Sequence, residues 1–210
     1  MNGLQKIEKK LYEEGFRFIA GTDEAGRGPL AGPVVAASVV FPQDVKIKGI
    51  NDSKKLSPKV RLELEEEIKS KALAYSIYVA DVKLIDEMNI LRASIFAMER
   101  SIQNLKVFPE IILVDGNRKL NLPMESRAVI KGDQKCFSIA AASILAKNFR
   151  DRLMYEYAKS YPHYKFENNK GYPTRQHIEA ILKYGPCEIH RKKFLRKIYE
   201  RRFVQQEIEF

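Results

Sequence analysis

The sequence predicts an α/β fold, with strands and covering helices interleaved around one sheet. Three observations carry that expectation. Ile111-Ile112-Leu113-Val114 is a short, wholly apolar run, the pattern of a strand covered on both faces. Two further apolar runs, at residues 16–22 and 34–41, are joined by a link containing Gly26, Gly28, Pro29, Gly32 and Pro33. Such a tight turn predicts adjacent, antiparallel strands. Between and after these runs, apolar residues recur at helical spacing.

The elements follow in order. Leu4, Ile7 and Leu11 share one face of a short amphipathic helix, which Gly15 breaks. Residues 51–56 are polar and predict a loop. Ser57-Pro58 starts a helix, with serine as N-cap and proline at the first helical position. That helix runs through Leu62, Leu64 and Ile68. Residues 73–80 alternate and end in β-branched and aromatic residues, so they predict a strand. Asn89 caps a helix with Ile90, Ala93, Ala97 and Ile102 inward, and Pro109 ends that region. After the strand at 111–117 comes a brief strand at 127–130. Asp133 then opens a long helical pattern through Ile139, Ile144, Phe149 and Leu153. Its small residues, Ala140 to Ser143, allow close approach to a sheet. Residues 161–173 predict a polar aromatic loop and 174–183 a helix, stopped by Gly185-Pro186. The tail from Arg191 is basic, then amphipathic. There is no internal repeat or linker, so residues 1–210 are expected to form one domain, with a basic tail from about 187.

Composition narrows the class of function. Hydrophobic residues make up 45%, enough for a sizeable core. Lys and Arg outnumber Asp and Glu by 37 to 27, and the net charge of +10 favours a polyanionic partner, of which nucleic acid is the commonest. The two cysteines, Cys136 and Cys187, form no CxxC pair and no disulfide framework, which fits a reducing cytoplasm. The N-terminal residues lack the apolar stretch of a signal peptide, and no apolar run approaches the ~18 residues of a membrane span.

Four acids stand out by position. Asp23 and Glu24 end the first strand, Asp115 ends the strand at 111, and Asp133 begins the long helix. Carboxyl ends of neighbouring strands are the usual ligand site of open sheets. Clustered carboxylates hold hard cations such as Mg²⁺ or Mn²⁺, and two ions roughly 3.5–4 Å apart suit an in-line phosphoryl displacement. Taken alone, Asp115-Gly116 reads equally as a turn, and Asp133 as a favourable first-turn charge on a helix. The set carries weight jointly. Gly26-Arg27-Gly28, directly after the paired acids, lets a bulky partner approach the backbone and sets a fixed positive charge beside the acids. Lys54 and Lys55 read equally as phosphate contacts or as an ordinary solvated loop.

The chain resembles the bacterial ribonuclease HII family, the type 2 ribonucleases H, from about Phe18 to Phe194. The matching segments are Asp-Glu-Ala-Gly-Arg-Gly-Pro at 23–29, Asp-Ser-Lys-Lys-Leu-Ser-Pro at 52–58 and Val-Asp-Gly-Asn at 114–117. Lys-Gly-Asp at 131–133, Ser-Ile-Ala-Ala-Ala-Ser-Ile-Leu-Ala-Lys at 138–147, Gly-Tyr-Pro-Thr at 171–174 and His-Arg-Lys at 190–192 follow in family order. The resemblance implies a ribonuclease H-like fold, with a mixed five-stranded sheet flanked by helices and a helical C-terminal portion. It implies endonucleolytic cleavage of RNA paired with or joined to DNA, 5′ to a ribonucleotide, with Mg²⁺ or Mn²⁺ as cofactor. It matches Asp23, Glu24, Asp115 and Asp133 to the metal-binding acids. It also matches Gly26, Arg27 and Gly28 to the motif that senses a 2′-hydroxyl, and Tyr172 to the tyrosine that stacks on the next sugar.

The remaining expectations are smaller. A ribonuclease HIII would carry an extra N-terminal domain, for which the residues before the first strand leave no room. A non-catalytic hybrid-binding module would be expected to lack one or more of the acids. His163 and His177 are expected at the surface, His190 in a structural or phosphate-facing role, and Cys136 as a buried filler. Cys187 and His190 lack the second pair a zinc site needs. Lys165 stands where the family often has glycine, which puts the local loop shape in question. The protein is expected to be a cytoplasmic monomer. The ending Gln205-Gln206-Glu207-Ile208-Glu209-Phe210 hints weakly at a sliding-clamp peptide, with a frayed helix as the plainer reading.

Overall fold

The computed structural model describes residues 3–54, 56–196 and 198–200. Lys55 and residues 205–210 lie outside the described residues. A five-stranded mixed sheet has the order β3-β2-β1-β4-β5. The strands are β1 (Ile19–Ala25), β2 (Val34–Val40), β3 (Ala74–Ala80), β4 (Ile111–Asp115) and β5 (Glu125–Val129). The first three form an antiparallel meander, and β4 and β5 join β1 in parallel. The expected adjacency of the first two strands holds. β1, not the apolar β4, occupies the centre of the sheet.

The helices are α1 (Lys6–Glu13), α2 (Pro58–Lys71), α3 (Val82–Met88), α4 (Ile90–Gln103), α5 (Phe137–Ser160), α6 (Phe166–Asn169) and α7 (Arg175–Tyr184). The N-caps read from sequence are in place. Ser57 Oγ accepts from Val60 N–H, and Asn89 Oδ1 accepts from the N–H groups of Leu91 and Arg92. α4 covers one face of the sheet and α5, supported by α2, the other. Residues 140–143 of α5 are buried, as their small size predicts, and the start of the same helix comes close to Gly21 of β1. A Cβ on Gly21 would lie 2.3 Å from the carbonyl carbon of Ser138, so β1 and α5 touch through their backbones.

Four expectations need correction. β1 runs to Ala25, not Thr22, because pairing with β2 continues through Asp23↔Ala37 and Glu24↔Ala36. Asp133 does not open the long helix. It lies in a separate 3-10 turn, Gly132–Gln134, and α5 begins at Phe137. His177 is not a surface residue: it is fully buried, as is His190. Cys136 is buried as expected, and His163 is exposed and stacks on Tyr184. Residues 161–173 contain a 3-10 turn and the short α6 rather than an open loop. Lys165 caps α6 in the left-handed region, at φ 55°. This is a position that glycine takes without strain, and lysine is held there by the surrounding turn.

Among the described residues, no helix is long and apolar enough to cross a membrane.

Candidate active site

Strand register brings the acids together. Thr22 pairs with Val114 across the parallel β1–β4 ladder, so Asp23 and Asp115 stand side by side at the next level. Gly21 faces α5, and alternation puts Asp23 on that face. Leu113 clusters with Ile139 of α5, so Asp115 shares it. Glu24 follows on the opposite side of β1, at the end of the sheet. Asp133 arrives from the other direction: the N–H of Gly132 donates to Asp115 Oδ1 at 2.6 Å, tying its 3-10 turn to the end of β4.

The electrostatics are those of crowded carboxylates. Burial, then Glu24 and Asp115, hold Asp23 well above the usual carboxylate range. Burial lifts Glu24 to about 7; Arg27 opposes this, Asp115 reinforces it, and Lys54 opposes it more weakly. Asp133 is raised by burial, then by Asp115 and Asp52. Arg27 Nη1 donates to Glu24 Oε1 at 3.3 Å. Lys54 is exposed, and its charge reaches both Glu24 and Asp133.

Among the described residues, no three carboxylate, histidine or cysteine side chains enclose a single point in ion-binding geometry. The donor set nonetheless fits a hard divalent cation. It consists of oxygen ligands alone, drawn from β1, β4 and the 3-10 turn, and their mutual repulsion is what a cation neutralises.

The turn after β1 adjoins the acids. Gly26 has φ 100°, and a Cβ there would lie 2.1 Å from Nε of Arg150. Gly28 is open except toward Tyr172, whose ring edge is 3.5 Å from where a Cβ would sit. Gly28 and Tyr172, distant in sequence, are therefore neighbours, and both are exposed.

A family model described as Ribonuclease HII matches residues 20–199. The chain belongs to the ribonuclease HII family. It is 57% identical to the ribonuclease HII of Caldicellulosiruptor bescii over 92% of this chain and 94% of that one. Among solved structures, it is similar to the ribonuclease H2 of Pyrococcus horikoshii OT3, with a TM-score of 0.71 and 29% identity over 88% of this chain and 98% of that one. It is also similar to ribonuclease HII from Archaeoglobus fulgidus, solved in a complex with PCNA, with a TM-score of 0.69 and 28% identity over 83% and 93% of the two chains. Family membership makes this chain a metal-dependent endoribonuclease, a hydrolase acting on RNA–DNA hybrids, and the sheet and its flanking helices are the ribonuclease H-like fold.

Within this family member, the turn after β1 is held by residues that sequence reasoning missed. Arg191, fully buried, donates to the carbonyls of Gly26, Arg27, Pro29, Gly32 and Pro33. Arg150, also buried, donates to those of Ala31, Pro33 and Lys170. Burial lowers Arg150 to about 10; burial, then Arg150, lowers Arg191 to about 9. Both remain charged at neutral pH. A guanidinium is the side chain able to satisfy so many carbonyls from one point. The available signals were the arginine of His-Arg-Lys and the arginine at a buried position of the long helix.

Asp52 was missed as well. It is buried, accepts from Lys54 N–H at 2.9 Å and from Gln134 Nε2 at 3.3 Å, and so links the Lys54 loop to the Asp133 turn.

Proposed function

We propose that this ribonuclease HII cuts duplex DNA on the 5′ side of a single embedded ribonucleotide, leaving 3′-hydroxyl and 5′-phosphate ends. Asp23, Glu24, Asp115 and Asp133 hold two divalent ions, Mg²⁺ or Mn²⁺. When bound, such ions activate the attacking water and stabilise the leaving oxygen of an in-line displacement. The protein holds Asp23, Glu24 and Asp115 at fixed levels of β1 and β4 and Asp133 on the 3-10 turn tied to Asp115, and Arg27 restrains Glu24.

The backbone of Gly26-Arg27-Gly28 reads the 2′-hydroxyl, a group that both donates and accepts and is found in RNA alone. Tyr172 lays its ring on the following sugar, where a flat apolar surface favours deoxyribose. Lys54 and Lys55 contact backbone phosphates. The observation that carries this reading is the continuity of β1 with the turn. The strand holding Asp23 and Glu24 leads within a few residues to Gly28, which lies against Tyr172. A reader of one sugar hydroxyl thus stands beside the acids. The +10 charge supports a nucleic-acid substrate. The reading takes residues 1–210 as one catalytic unit, monomeric and cytoplasmic.

The test is cleavage of a DNA duplex containing one ribonucleotide, with and without Mg²⁺ or Mn²⁺, with end mapping of the products. Metal-dependent scission 5′ to the ribonucleotide is expected. A duplex left intact while long RNA–DNA hybrids are cut would refute the junction assignment.

A further inference from the structure

Behind Tyr172 lies a buried chain of hydrogen bonds that the proposed chemistry does not use. His177 Nδ1 is 2.8 Å from the carbonyl oxygen of Tyr172. His177 Nε2 is 3.0 Å from His190 Nε2. His190 Nδ1 is 2.9 Å from the backbone nitrogen of Cys187 and 3.1 Å from its sulfur. Both imidazoles are fully enclosed, with the rings of Tyr164 and Phe166 packed around them.

The end groups settle where every proton sits. A carbonyl only accepts, so His177 must donate from Nδ1. A backbone N–H only donates, so His190 must accept at Nδ1. The facing nitrogens then have one consistent assignment: His190 donates from Nε2 to the lone pair on His177 Nε2. Adding a proton to either ring would set two N–H groups against each other, or one against the Cys187 N–H. Burial accordingly lowers the affinity of both rings for a proton, His190 to about 4 with His177 adding to the effect.

The same segment grips the other half of the recognition site. Gly32 N–H donates to Ile189 O, and Arg191 N–H donates to Leu30 O, each at 2.8 Å. Leu30 N–H donates to Gly171 O at 2.8 Å. Residues 30–32 therefore lie between the Tyr172 turn and residues 189–191. Arg191 holds the carbonyls of residues 26–33, while its neighbour His190 reaches Tyr172 through His177.

We propose that His177 and His190 are positioning residues that set Tyr172 against the Gly26–Gly28 turn, and that they act on selection of the ribonucleotide junction rather than on bond cleavage. The proposal rests on the junction reading given above.

Two variants of His177 separate the two ends of the chain. His177→Asn places an amide at the Nδ1 position, keeping the bond to Tyr172 and losing His190. His177→Gln places it at the Nε2 position, keeping His190 and losing Tyr172. With saturating metal, kcat/KM is measured on a duplex with one ribonucleotide and on a hybrid with a continuous RNA strand. His177→Gln should lower the ratio of the two by about tenfold, the effect expected of a misplaced positioning group, and His177→Asn by no more than about twofold. An unchanged ratio in His177→Gln, beside a wild type that prefers the junction, overturns the proposal. Equal unfolding of both variants also overturns it, because the pair would then be ordinary core.

A measurement on the wild type needs no variant to fold. Nitrogen-15 spectra of the histidine rings should show His177 protonated on Nδ1 and His190 on Nε2, both neutral at pH 7. The same tautomer in both rings would overturn the hydrogen-bond chain. A wild type that ignores single ribonucleotides but shows the expected tautomers would instead locate the failure in the junction reading.

Discussion

Asp23 and Glu24 lie at the end of β1 and the turn at residues 26–33 follows directly, yet the acids and the turn are held in opposite ways. Asp23 and Asp115 are placed by sheet register, with backbone pairing doing the work and the side chains repelling one another. The turn at residues 26–33 has no sheet to hold it. It is gripped through its carbonyl oxygens by Arg150 and Arg191, from elements more than a hundred residues away in sequence. The first region is electrostatically strained and rigidly built. The second is held by remote side chains and by backbone hydrogen bonds to residues 171, 189 and 191. The acids are thus placed by backbone pairing, while the turn is placed by side chains that arrive from residues 150 and 191.

The largest effect expected from breaking this contrast is at the acids. Asp23→Asn or Asp115→Asn should bring cleavage below detection while duplex binding persists, since the basic surface remains. Cleavage in excess chelator, or in either variant, would contradict metal-assisted hydrolysis.

The turn should respond through stability as well as activity. Gly26→Ala forces a Cβ into Arg150 at a left-handed φ, and should destabilise the fold by about 3 kcal/mol. Gly28→Ala meets only an ordinary contact with Tyr172, so thermal unfolding should be nearly unchanged while junction cleavage falls. Equal destabilisation by the two would show that the arginine grip does not distinguish them.

The strain at the acids should appear in the pH dependence of the metal-free protein. Glu24 rises from 4.5 to about 7, and Asp23 moves in the same direction. The folded chain therefore holds these protons more tightly than the unfolded one. Their contribution is fully present below the unfolded value and is lost as pH rises through the folded one. Tm should fall from about pH 5 to about pH 8, and Glu24→Gln should flatten that fall. Added Mg²⁺ should raise Tm most at the upper end, and a Tm rising over this range would contradict the crowded-acid account.

Two smaller effects mark the edges of the site. Lys165→Gly should stabilise the protein by about 1 kcal/mol, because it relieves a left-handed lysine. Lys54→Ala should flatten the dependence of log affinity on log salt by about one phosphate's share. An unchanged slope would place Lys54 off the nucleic-acid backbone.

How much was legible in the sequence follows the same division. The caps at Ser57 and Asn89 and the apolar β4 were readable because their causes are local. The four acids were readable as a set from their places near element ends. The end of β1 was misjudged because pairing with β2, not composition, carries the strand through Asp23 and Glu24. α3 has only 7 residues, too few for a periodic pattern. His177 looked like a polar helix residue; Tyr164, Phe166 and His190, from other segments, pack around it. Glu8 was unreadable for the same reason: from α1 it accepts the Ser138 N–H at the start of α5, 130 residues away. Such contacts between distant segments leave no local trace.

The contrast between the two regions is tested most directly by Tyr172→Ala, because that ring is exposed and lies against Gly28. The measurement is kcat/KM on a duplex with one ribonucleotide and on a continuous RNA–DNA hybrid, at saturating metal. The account predicts a fall of about tenfold or more on the first substrate, a much smaller change on the second, and unaltered metal dependence. An equal fall on both substrates would contradict it, placing Tyr172 in general binding and leaving the acids alone to account for where the strand is cut.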